Sequence, residues 1–398
     1  LGILRSETAG YSWEGSNSGM QSRINSVTAL DSGRILVGTE GGLFQSTDYS
    51  DSWDRVHPSD PLIQPIKKSL VDPQGRIIVA TAAGIWRHDD QTGWQALGPP
   101  GMPSIKDITL RENGNILASY YSGIYEFDGS NWFEWMIQGF DQGYRDVTAV
   151  HVTDKGTVLA GAAWDSWRQV AGSTGWDLMS AGSVPWFDAQ TFAQDGNTIL
   201  GGTKFLGVVQ SQDDGATWAP LGSGLMGRED VQDVQFDHLG RAHIGTYGSG
   251  VFQLNPWTKV WVPVNYGLED NHRVISLAFD ADGNGYVGTV DGGLYRHIVS
   301  RSVSVEGVEE VPDQFRVGAP YPNPVRTVLS APFFHLDSGV VEVEVFDMLG
   351  HRVVYERSIR PRGDQELSVS VNSLASGSYV LRIRTQDQVG HRTFIVLN

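Results

Sequence analysis

Short runs of hydrophobic residues, separated by polar turns, follow one another through the first 300 residues. The clearest run covers residues 35–53 and reads ILVGTEGGLFQSTDYSDSW. A strand-forming stretch ends in Gly38 and Thr39, a Gly-Gly turn follows, and a second short strand leads to Trp53. Two short strands around a glycine turn predict a hairpin. A single hairpin cannot bury a face, so the interpretation depends on whether the pattern recurs.

The hairpin pattern recurs seven times. A turn glycine precedes each copy, with spacings of 39 to 44 residues: Gly33, Gly75, Gly114, Gly156, Gly196, Gly240 and Gly283. A closing tryptophan follows the first six copies: Trp53, Trp94, Trp132, Trp176, Trp218 and Trp261. Short strands with this period are typical of four-stranded propeller blades. The pattern therefore predicts an all-β, seven-bladed β-propeller in which tryptophans wedge between blades.

The tryptophan spacing also indicates how the ring closes. The seventh hairpin, residues 286–296, has no closing tryptophan behind it. Trp13 lies 40 residues before Trp53, and like Trp218 it is followed by four residues and then Ser-Gly. We therefore predict that residues 11–19 form the outer strand of the seventh blade, which would remove an exposed sheet edge.

The pattern changes after residue 300, where a second domain is predicted. The strands there are longer and alternate cleanly, with Val341, Val343 and Val345 on one face. Alternating strands of this kind, without cysteines, favour a small Ig-like β-sandwich. The predicted organisation is a disordered N-terminus at residues 1–10, a propeller at 11–300, a linker at 301–318 and a C-terminal domain at 319–398.

Charge and composition exclude several classes of partner. Residues 1–300 hold 34 acidic and 19 basic side chains, and residues 301–398 hold 12 and 10. An acidic propeller repels phosphate backbones and anionic lipids, so we expect no nucleic-acid partner. No apolar run reaches the length of a membrane span. The chain has no cysteine, which excludes disulfides and thiolate metal sites. We predict neither a metal nor a cofactor.

The repeats resemble two known propeller families. The segment 37–46, VGTEGGLFQS, resembles the repeat of two-component-regulator propellers. The segment 211–218, SQDDGATW, resembles the Asp-box of sialidase-like (BNR) repeats, and residues 46–53 resemble a second copy in which Ser50 replaces glycine. The aspartate of such a box caps a turn between strands, which is a structural role.

The C-terminal domain resembles the type A sorting domain of type IX secretion cargo. Four segments match in order: YPNP at 321–324, VFD at 345–347, SG at 376–377 and HRTFIV at 391–396. The resemblance implies that a translocon recognises residues 319–398 and exports the protein. It also implies a secreted or outer-surface location.

Signatures of catalysis and metal binding are weak. Residues 280–285 match the start of an EF-hand calcium loop, but they align with the turn of every other blade, so we interpret them as a turn. A sialidase needs three convergent arginines and a Tyr–Glu pair, and the Arg-Ile-Pro signature near the first blade is missing. We therefore lean toward a protein without enzymatic activity.

The fourth blade departs most from the repeat. Where other blades have a glycine turn, residues 162–168 read AAWDSWR. Two tryptophans beside an aspartate and an arginine would suit a platform for a sugar or a peptide. Equivalent turns carry other aromatic residues, Phe205 among them, on the same predicted face. The predicted ligand-binding residues are Trp164, Asp165, Trp167, Arg168, Tyr120, Tyr121 and Tyr247. The alternative is a hydrophobic plug without a ligand.

Three functions remain open at this point. The first is a secreted or surface-displayed propeller that binds a glycan or a protein. The second is an extracellular sialidase-like glycoside hydrolase, by analogy of fold. The third, a periplasmic sensor fragment, is disfavoured by the sorting tail. Convergent arginines with a carboxylate pair would favour the hydrolase, whereas an aromatic rim without them would favour the binding protein.

Overall fold

The computed structural model describes most of the chain, and its described residues form two compact units, one within 13–297 and the other within 316–397. The described ranges are 13–16, 23–30, 33–56, 65–98, 105–120, 123–135, 146–182, 186–225, 230–256, 258–265, 267–268, 272–297, 316–318, 320–335, 339–347, 349–361, 363–386 and 388–397. Within these ranges, the chain contains no helix of the length and hydrophobicity that crossing a membrane requires.

The first unit opens with β1 (Glu14–Gly15), which is followed by three blades of four strands each. Blade 1 contains β2 (Ile24–Ala29), β3 (Ile35–Thr39), β4 (Gly42–Ser46) and β5 (Asp54–Arg55). Blade 2 contains β6 (Ile66–Val71), β7 (Ile77–Thr81), β8 (Gly84–Asp89) and β9 (Gly93–Gly98). Blade 3 contains β10 (Asp107–Leu110), β11 (Ile116–Tyr120), β12 (Gly123–Phe127) and β13 (Trp132–Trp135).

Four further blades complete the unit. Blade 4 contains β14 (Val147–Val152), β15 (Val158–Ala162), β16 (Ser166–Gln169) and β17 (Asp177–Leu178). Blade 5 contains β18 (Ala189–Asp195), β19 (Thr198–Thr203), β20 (Val208–Ser211) and β21 (Ala219–Pro220). Blade 6 contains β22 (Val231–Phe236), β23 (Ala242–Thr246), β24 (Gly250–Leu254) and β25 (Trp261–Pro263). Blade 7 contains β26 (Val274–Phe279), β27 (Gly285–Thr289) and β28 (Leu294–His297).

The described strands of this unit form seven antiparallel, four-stranded sheets, which confirms the predicted fold class. The first strands of neighbouring blades contact one another in a closed order, from β2 through β26 and back to β2, so they line the centre of the ring. The fourth strand of blade 7 is β1, in which Glu14 is paired with Arg296 and Gly15 with Tyr295. The two ends of the propeller sequence therefore share one sheet.

Tryptophan indoles join successive blades at their outer strands. In each case Nε1–H donates to a carbonyl of the preceding blade: Trp13 to Val264 at 2.7 Å, Trp53 to Ser16 at 3.2 Å, Trp94 to Val56 at 3.4 Å, Trp132 to Leu97 at 2.9 Å and Trp261 to Leu221 at 3.0 Å. In blade 4 the corresponding Trp176 lines a cavity of about 470 Å³ between blades 3 and 4. In blade 5 the Trp218 indole instead donates to the Gly215 carbonyl of its own blade at 2.9 Å. The inter-blade indole bond therefore recurs in five blades, with exceptions in blades 4 and 5.

Small residues in the second strand allow the blades to pack closely. A Cβ on Gly161 would lie 2.0 Å from the Ala189 carbonyl oxygen of the next blade, and a Cβ on Gly245 would lie 2.4 Å from Val274. No side chain fits at such distances, which explains why the sequence places small residues at this point of each hairpin.

Strand direction gives the ring two distinct faces. We call the face that carries the starts of the innermost strands and the turns between second and third strands the upper face. The lower face carries the turns between first and second strands and, in blades 1 to 6, the turns between third and fourth strands. On the lower face Asp72, Asp237 and Asp280 each accept the N–H four residues on, at 2.9, 3.0 and 2.8 Å. The segment that matches the start of a calcium loop therefore uses its first aspartate as a turn cap.

Two turns between third and fourth strands share one hydrogen-bond pattern. Asp213 and Asp48 each accept from the N–H and the hydroxyl four residues on, at 2.8 and 2.6 Å in one turn and at 2.9 and 2.5 Å in the other. Ser50 adopts φ +69°, close to the +79° of the corresponding Gly215. Burial acts to raise the pKa of Asp48, but bonds from the nearby serines outweigh it and lower the value to about 2.

An arginine from the preceding blade reaches each of these two turns. Arg168 of blade 4 donates Nε–H to the Asp214 carbonyl of blade 5 at 3.0 Å. Arg296 of blade 7 donates to the Tyr49 carbonyl of blade 1 at 2.9 Å and to the Asp51 carboxylate at 2.5 Å. The two arginines occupy the same position in β16 and β28. They therefore act as matching clamps between blades.

The second unit is a β-sandwich of two described sheets. Its strands are β29 (Arg316–Val317), β30 (Val328–His335), β31 (Gly339–Asp347), β32 (Arg352–Arg360), β33 (Gly363–Ser370), β34 (Gly377–Arg384) and β35 (Val389–Val396). One sheet has the order β29-β30-β33 and the other β32-β31-β34-β35. The alternating Val341, Val343 and Val345 are buried between them, as predicted. Asn323 accepts the Ile395 N–H at 2.8 Å, so the first and last predicted sorting segments meet.

Candidate functional site

The upper face is where the irregular turns found in the sequence lie. Because neighbouring strands are antiparallel, the start of the innermost strand and the second-to-third-strand turn are at the same end of each sheet. The blades follow one another in one sense around the ring. Side chains from different blades can therefore form a continuous surface on this face.

Threonine closes the upper turn in blades 1, 2, 5, 6 and 7. Thr39 shows the pattern: its hydroxyl accepts the Gly41 N–H at 3.0 Å and donates to the Gly42 carbonyl at 2.9 Å. The same pair of bonds is made by Thr81, Thr203, Thr246 and Thr289. Tyr120 and Ala162 replace threonine in blades 3 and 4. The two blades that break the rule are neighbours.

Trp164 projects from the irregular turn of blade 4 and is 63% exposed. The turn is closed by a 2.8 Å bond from the Ala162 N–H to the carbonyl of Asp165, which is itself half-buried. The Ser166 hydroxyl donates to the Phe187 carbonyl at 2.8 Å and ties this turn to the segment that enters blade 5. Trp164 therefore lies on the upper face beside the entry to the next blade.

Trp167 and Arg168 do not share the surface of Trp164, so the predicted platform of these residues is not assembled. Both lie inside β16, where consecutive side chains point to opposite faces of the sheet. Trp167 packs at the junction of blades 3 and 4 with Trp135 and Trp176. Arg168 faces blade 5 and forms the lower-face clamp described above. The sequence interpretation was wrong on this point because it treated strand residues as part of the turn.

The three predicted tyrosines differ in their placement. Tyr120 is half-buried in blade 3, with its ring edge-to-face against Tyr125 at 6.0 Å. Tyr121 lies outside the described residues. Tyr247 is 41% exposed on the upper face of blade 6. Of the two described tyrosines, Tyr247 is thus the one that the structure exposes on this face.

Further exposed apolar side chains lie between Trp164 and Tyr247. Trp186, Phe205 and Leu206 are 45%, 52% and 37% exposed and were not among the predicted ligand-binding residues. Trp186 lies in the entry to blade 5, and the other two lie in the upper turn of that blade. We call these five residues the aromatic sector. It covers the upper face of blades 4 to 6.

The aromatic sector continues into a charged cluster at blade 7. The Tyr247 N–H donates to the Asp230 carbonyl at 2.9 Å. The Arg273 guanidinium lies 4.7 Å above the Tyr247 ring, donates to its hydroxyl and forms a 2.7 Å ion pair with Asp291. The sector is therefore held in place by contacts that pass from blade to blade.

Three carboxylates lie at equivalent points beneath this surface. Asp146, Asp188 and Asp230 each come directly before the innermost strand of blades 4, 5 and 6, at intervals of 42 residues. Asp146 forms a 3.2 Å ion pair with Lys106 of blade 3. Asp230 accepts a 2.7 Å bond from the Gln232 amide. The regular spacing is the sequence signal that could have revealed them.

Asp188 is the most buried of these carboxylates, with 3% of the residue exposed. The main chain of Lys204 donates to its carboxylate, and both Lys204 and Asp230 act on it electrostatically. Among the described residues, its Oδ2 has no hydrogen-bond partner. Burial raises the pKa of Asp188, and burial also raises the pKa of Asp230. Both carboxylates therefore lack the full solvation that water would provide.

The centre of the ring holds a separate charged group. Lys68 lies 3.7 Å from Asp107 of the neighbouring blade. Asp107 raises the pKa of Lys68, and Asp233 of blade 6 adds to this effect from across the ring. Asp233 accepts the Leu277 N–H at 2.7 Å, and burial raises its pKa. Because Asp107 and Asp233 also accept main-chain bonds from the next blade, this group ties blades together.

The ion pairs that the structure describes for propeller arginines are dispersed around the ring. They are Arg76–Asp72, Arg111–Glu126, Arg168–Asp214, Arg241–Asp237, Arg273–Asp291 and Arg296–Asp51. A sialidase-type site would instead bring three arginines to one carboxylate. In the part of the chain that the structure describes, no group of three or more His, Asp or Glu side chains could hold a metal ion.

The second unit matches a known family. Residues 319–397 match the model of the secretion system C-terminal sorting domain. The C-terminal unit is a sorting domain. The chain is therefore a type IX-sorted β-propeller that is secreted or displayed at the cell surface. No protein with a curated description matches the sequence.

The propeller resembles several solved structures. PorZ, a surface component of the type IX secretion system of Porphyromonas gingivalis, is 17% identical over 94% of this chain and 51% of its own, with a TM-score of 0.42. The extracellular domain of BT3049 from B. thetaiotaomicron is 13% identical over 98% and 57%, with a TM-score of 0.60. YCF48 from Cyanidioschyzon merolae is 15% identical over 72% and 98%, with a TM-score of 0.55, and YCF48 has also been solved with a D1 peptide.

These likenesses differ in how much of each relative the chain covers. The chain spans about half of PorZ and 57% of the BT3049 domain, whereas it covers nearly all of YCF48. At these identities the likeness to BT3049 and YCF48 supports the propeller fold alone.

Proposed function

We propose that the exported propeller is a binding module that captures an extracellular protein or glycan on the aromatic sector. The observation that carries the proposal is the asymmetry of the upper face. Five large apolar side chains are exposed on blades 4 to 6. The equivalent turns of blades 1, 2 and 7 present small or polar residues, namely Glu40, Ala83 and Asp291.

The fold does not require this asymmetry. Blades pack through their inner strands and tryptophan wedges, and the threonine-closed turns of blades 1, 2 and 7 form without an exposed aromatic side chain among their described residues. Large apolar side chains exposed together on one face of a protein often mark an interaction site. Tryptophan, tyrosine and phenylalanine also provide large, rigid contact surfaces, which is why they dominate binding hot spots.

Two further points support binding. The sorting domain delivers the propeller to the outside of the cell, where a ligand would meet it. YCF48, a propeller of the same fold, has been solved with a D1 peptide, so the fold can present a peptide surface. The alternative of a sialidase-like hydrolase has no supporting observation, because the described arginine pairs do not converge.

The test compares variants of the full-length chain on arrays of glycans and of surface-protein peptides. Phe205→Ala and Trp164→Ala each remove one aromatic side chain of the aromatic sector. Phe133→Ala is the matched control, because Phe133 is 51% exposed on the outer strand of blade 3. Trp176→Ala opens the cavity between blades 3 and 4. Each aromatic contact is worth about 0.5–1.5 kcal/mol beyond area burial, so losing two weakens binding about ten-fold or more.

We expect the double variant Trp164→Ala/Phe205→Ala to lose the ligands that the parent binds, and Phe133→Ala to keep them. Binding that survives the double variant but disappears in Trp176→Ala would place the ligand in the cavity and refute the proposal. Hydrolysis of any bound glycan by the parent would favour the alternative function.

A further inference from the structure

We infer that the aromatic sector takes a polypeptide partner and that a lysine or arginine of this partner lies against Asp188 and Asp230. The inference rests on the proposed binding function and specifies its ligand. It follows from an incompletely partnered carboxylate, from the local charge balance and from the residues that surround both.

The first step concerns the hydrogen bonding of Asp188. Its carboxylate is almost fully buried, and Oδ2 has no partner among the described residues. A buried polar atom without a partner is costly, so native structures rarely keep one unless a ligand or water fills the position. A carboxylate oxygen accepts hydrogen bonds. The missing group is therefore a donor.

The second step is a count of charges around this atom. Among the described residues, Asp188 and Asp230 face one cation, Lys204, which acts on both. On either side the charges are already paired, Asp146 with Lys106 at 3.2 Å and Arg273 with Asp291 at 2.7 Å. Within the part of the chain that the structure describes, the central group therefore has one carboxylate in excess. A donor that carries a single positive charge would balance it.

The third step concerns the surroundings of the carboxylates. Phe205 lies beside Lys204, the cation that acts on both carboxylates, with the Lys204 ammonium 5.5 Å from the centre of its ring. Tyr247 on the other side already holds a guanidinium over its ring. Aromatic rings attract cations through the negative charge of their faces. The sector thus offers both the carboxylate and the ring contacts that a basic side chain uses.

The fourth step decides between a polypeptide and a neutral glycan. A neutral sugar hydroxyl could donate to Asp188 but would leave the excess charge uncompensated. A basic residue in a peptide satisfies both, and its neighbours can pack on the apolar Leu206. The acidic balance of the propeller, 34 acidic against 19 basic side chains in residues 1–300, would also speed the approach of a basic segment.

The test uses a library of immobilised heptapeptides with random sequence, incubated with the full-length chain. Asp188→Asn and Asp230→Asn keep the shape of each side chain but remove its charge. Asp177→Asn is the charge-matched control, because Asp177 is exposed on the outer strand of blade 4. Phe205→Ala reports on the aromatic sector itself. Tryptophan fluorescence confirms that each variant is folded.

We expect bound heptapeptides to be enriched in one lysine or arginine. Their affinity falls ten-fold or more in Asp188→Asn and Asp230→Asn and less than two-fold in Asp177→Asn. Equal losses in all three asparagine variants would mean non-specific attraction and would overturn the inference. Bound peptides without such enrichment would also overturn the inference, as would binding of a neutral glycan only. If Phe205→Ala abolishes the binding in either case, the proposed function stands. Binding unaffected by Phe205→Ala would contradict the proposed function as well.

Discussion

The two faces of the propeller follow different rules. On the lower face, charged side chains are used to close turns and to join blades. Asp72, Asp237 and Asp280 cap turns within blades, and Arg168 and Arg296 reach across to the next blade. On the upper face, uncharged threonines close five turns, and blades 4 to 6 expose aromatic side chains.

The difference separates residues that hold the ring from residues that are available to a ligand. A lower-face aspartate has most of its acceptor capacity filled by its own turn. An upper-face carboxylate such as Asp188 keeps an oxygen without a described partner, and Trp164 keeps most of its surface. The irregular stretch 162–168 contains residues of both kinds. Trp164 lies on the upper face, whereas Arg168 forms the lower-face clamp.

The largest expected effect comes from breaking the ring, on which both faces depend. Trp13 is 7% exposed and donates to Val264 of blade 6, so it joins the last two blades. Replacing a buried tryptophan with alanine costs about 3–5 kcal/mol. We expect Trp13→Ala to lower the free energy of unfolding by that amount, as measured in urea by tryptophan fluorescence. All 13 tryptophans precede residue 262, so the signal reports on the propeller alone.

The control for this experiment is Trp186→Ala, because Trp186 is 45% exposed and belongs to the aromatic sector. Its unfolding curve should stay close to that of the parent. A Trp13→Ala curve that overlays the parent curve would show that the N-terminal strand contributes little to the closed ring.

The architecture was predictable because each blade repeats a local pattern. A hairpin with a small residue in its second strand and a tryptophan behind it is encoded within about 40 residues, and its packing partner is another copy. Even the N-terminal strand can be found in this way, since Trp13 lies one period before Trp53. Because the blades repeat, a contact between two blades can be recognised from the sequence pattern of each blade.

The candidate site was less predictable, because it depends on register between blades. Trp164 was found from a broken turn, but the assignment of Trp167 and Arg168 to the same surface was wrong, since strand alternation turns them away. Asp188 and Asp230 look like ordinary turn residues in sequence. Their role in the candidate site depends on the burial of Asp188 and on the proximity of both carboxylates to Lys204. The sequence of a single blade does not contain this information.

An intermediate effect is expected from the lower-face clamps. Arg168→Ala removes the bond to the Asp214 carbonyl, and Arg296→Ala removes the equivalent bonds to blade 1. Hydrogen bonds to charged groups contribute about 1.5–3 kcal/mol, so we expect each variant to lose about 1–3 kcal/mol of unfolding free energy. Arg87→Ala is the matched control, because Arg87 occupies the same position in β8. We expect Arg87→Ala to change the unfolding free energy by no more than about 0.5 kcal/mol, as is usual for a surface substitution.

If the clamp is structural only, Arg168→Ala should leave ligand binding per folded molecule unchanged. A loss of affinity without a loss of stability would place Arg168 in the ligand site. It would contradict the proposed division between the two faces.

The smallest expected change in stability is also the sharpest test of that division. Trp164 and Trp167 are three residues apart, but one is 63% exposed and the other packs at the junction of blades 3 and 4. Trp164→Ala should change the unfolding free energy by less than about 0.5 kcal/mol. Trp167→Ala should cost about 1–3 kcal/mol, because it removes buried apolar surface. Affinity for a ligand of the aromatic sector should show the reverse order, with the larger loss in Trp164→Ala. If Trp164→Ala destabilises the propeller as much as Trp167→Ala does, Trp164 is a hydrophobic plug. Its side chain would then support the fold and would have to be more buried than the structure shows.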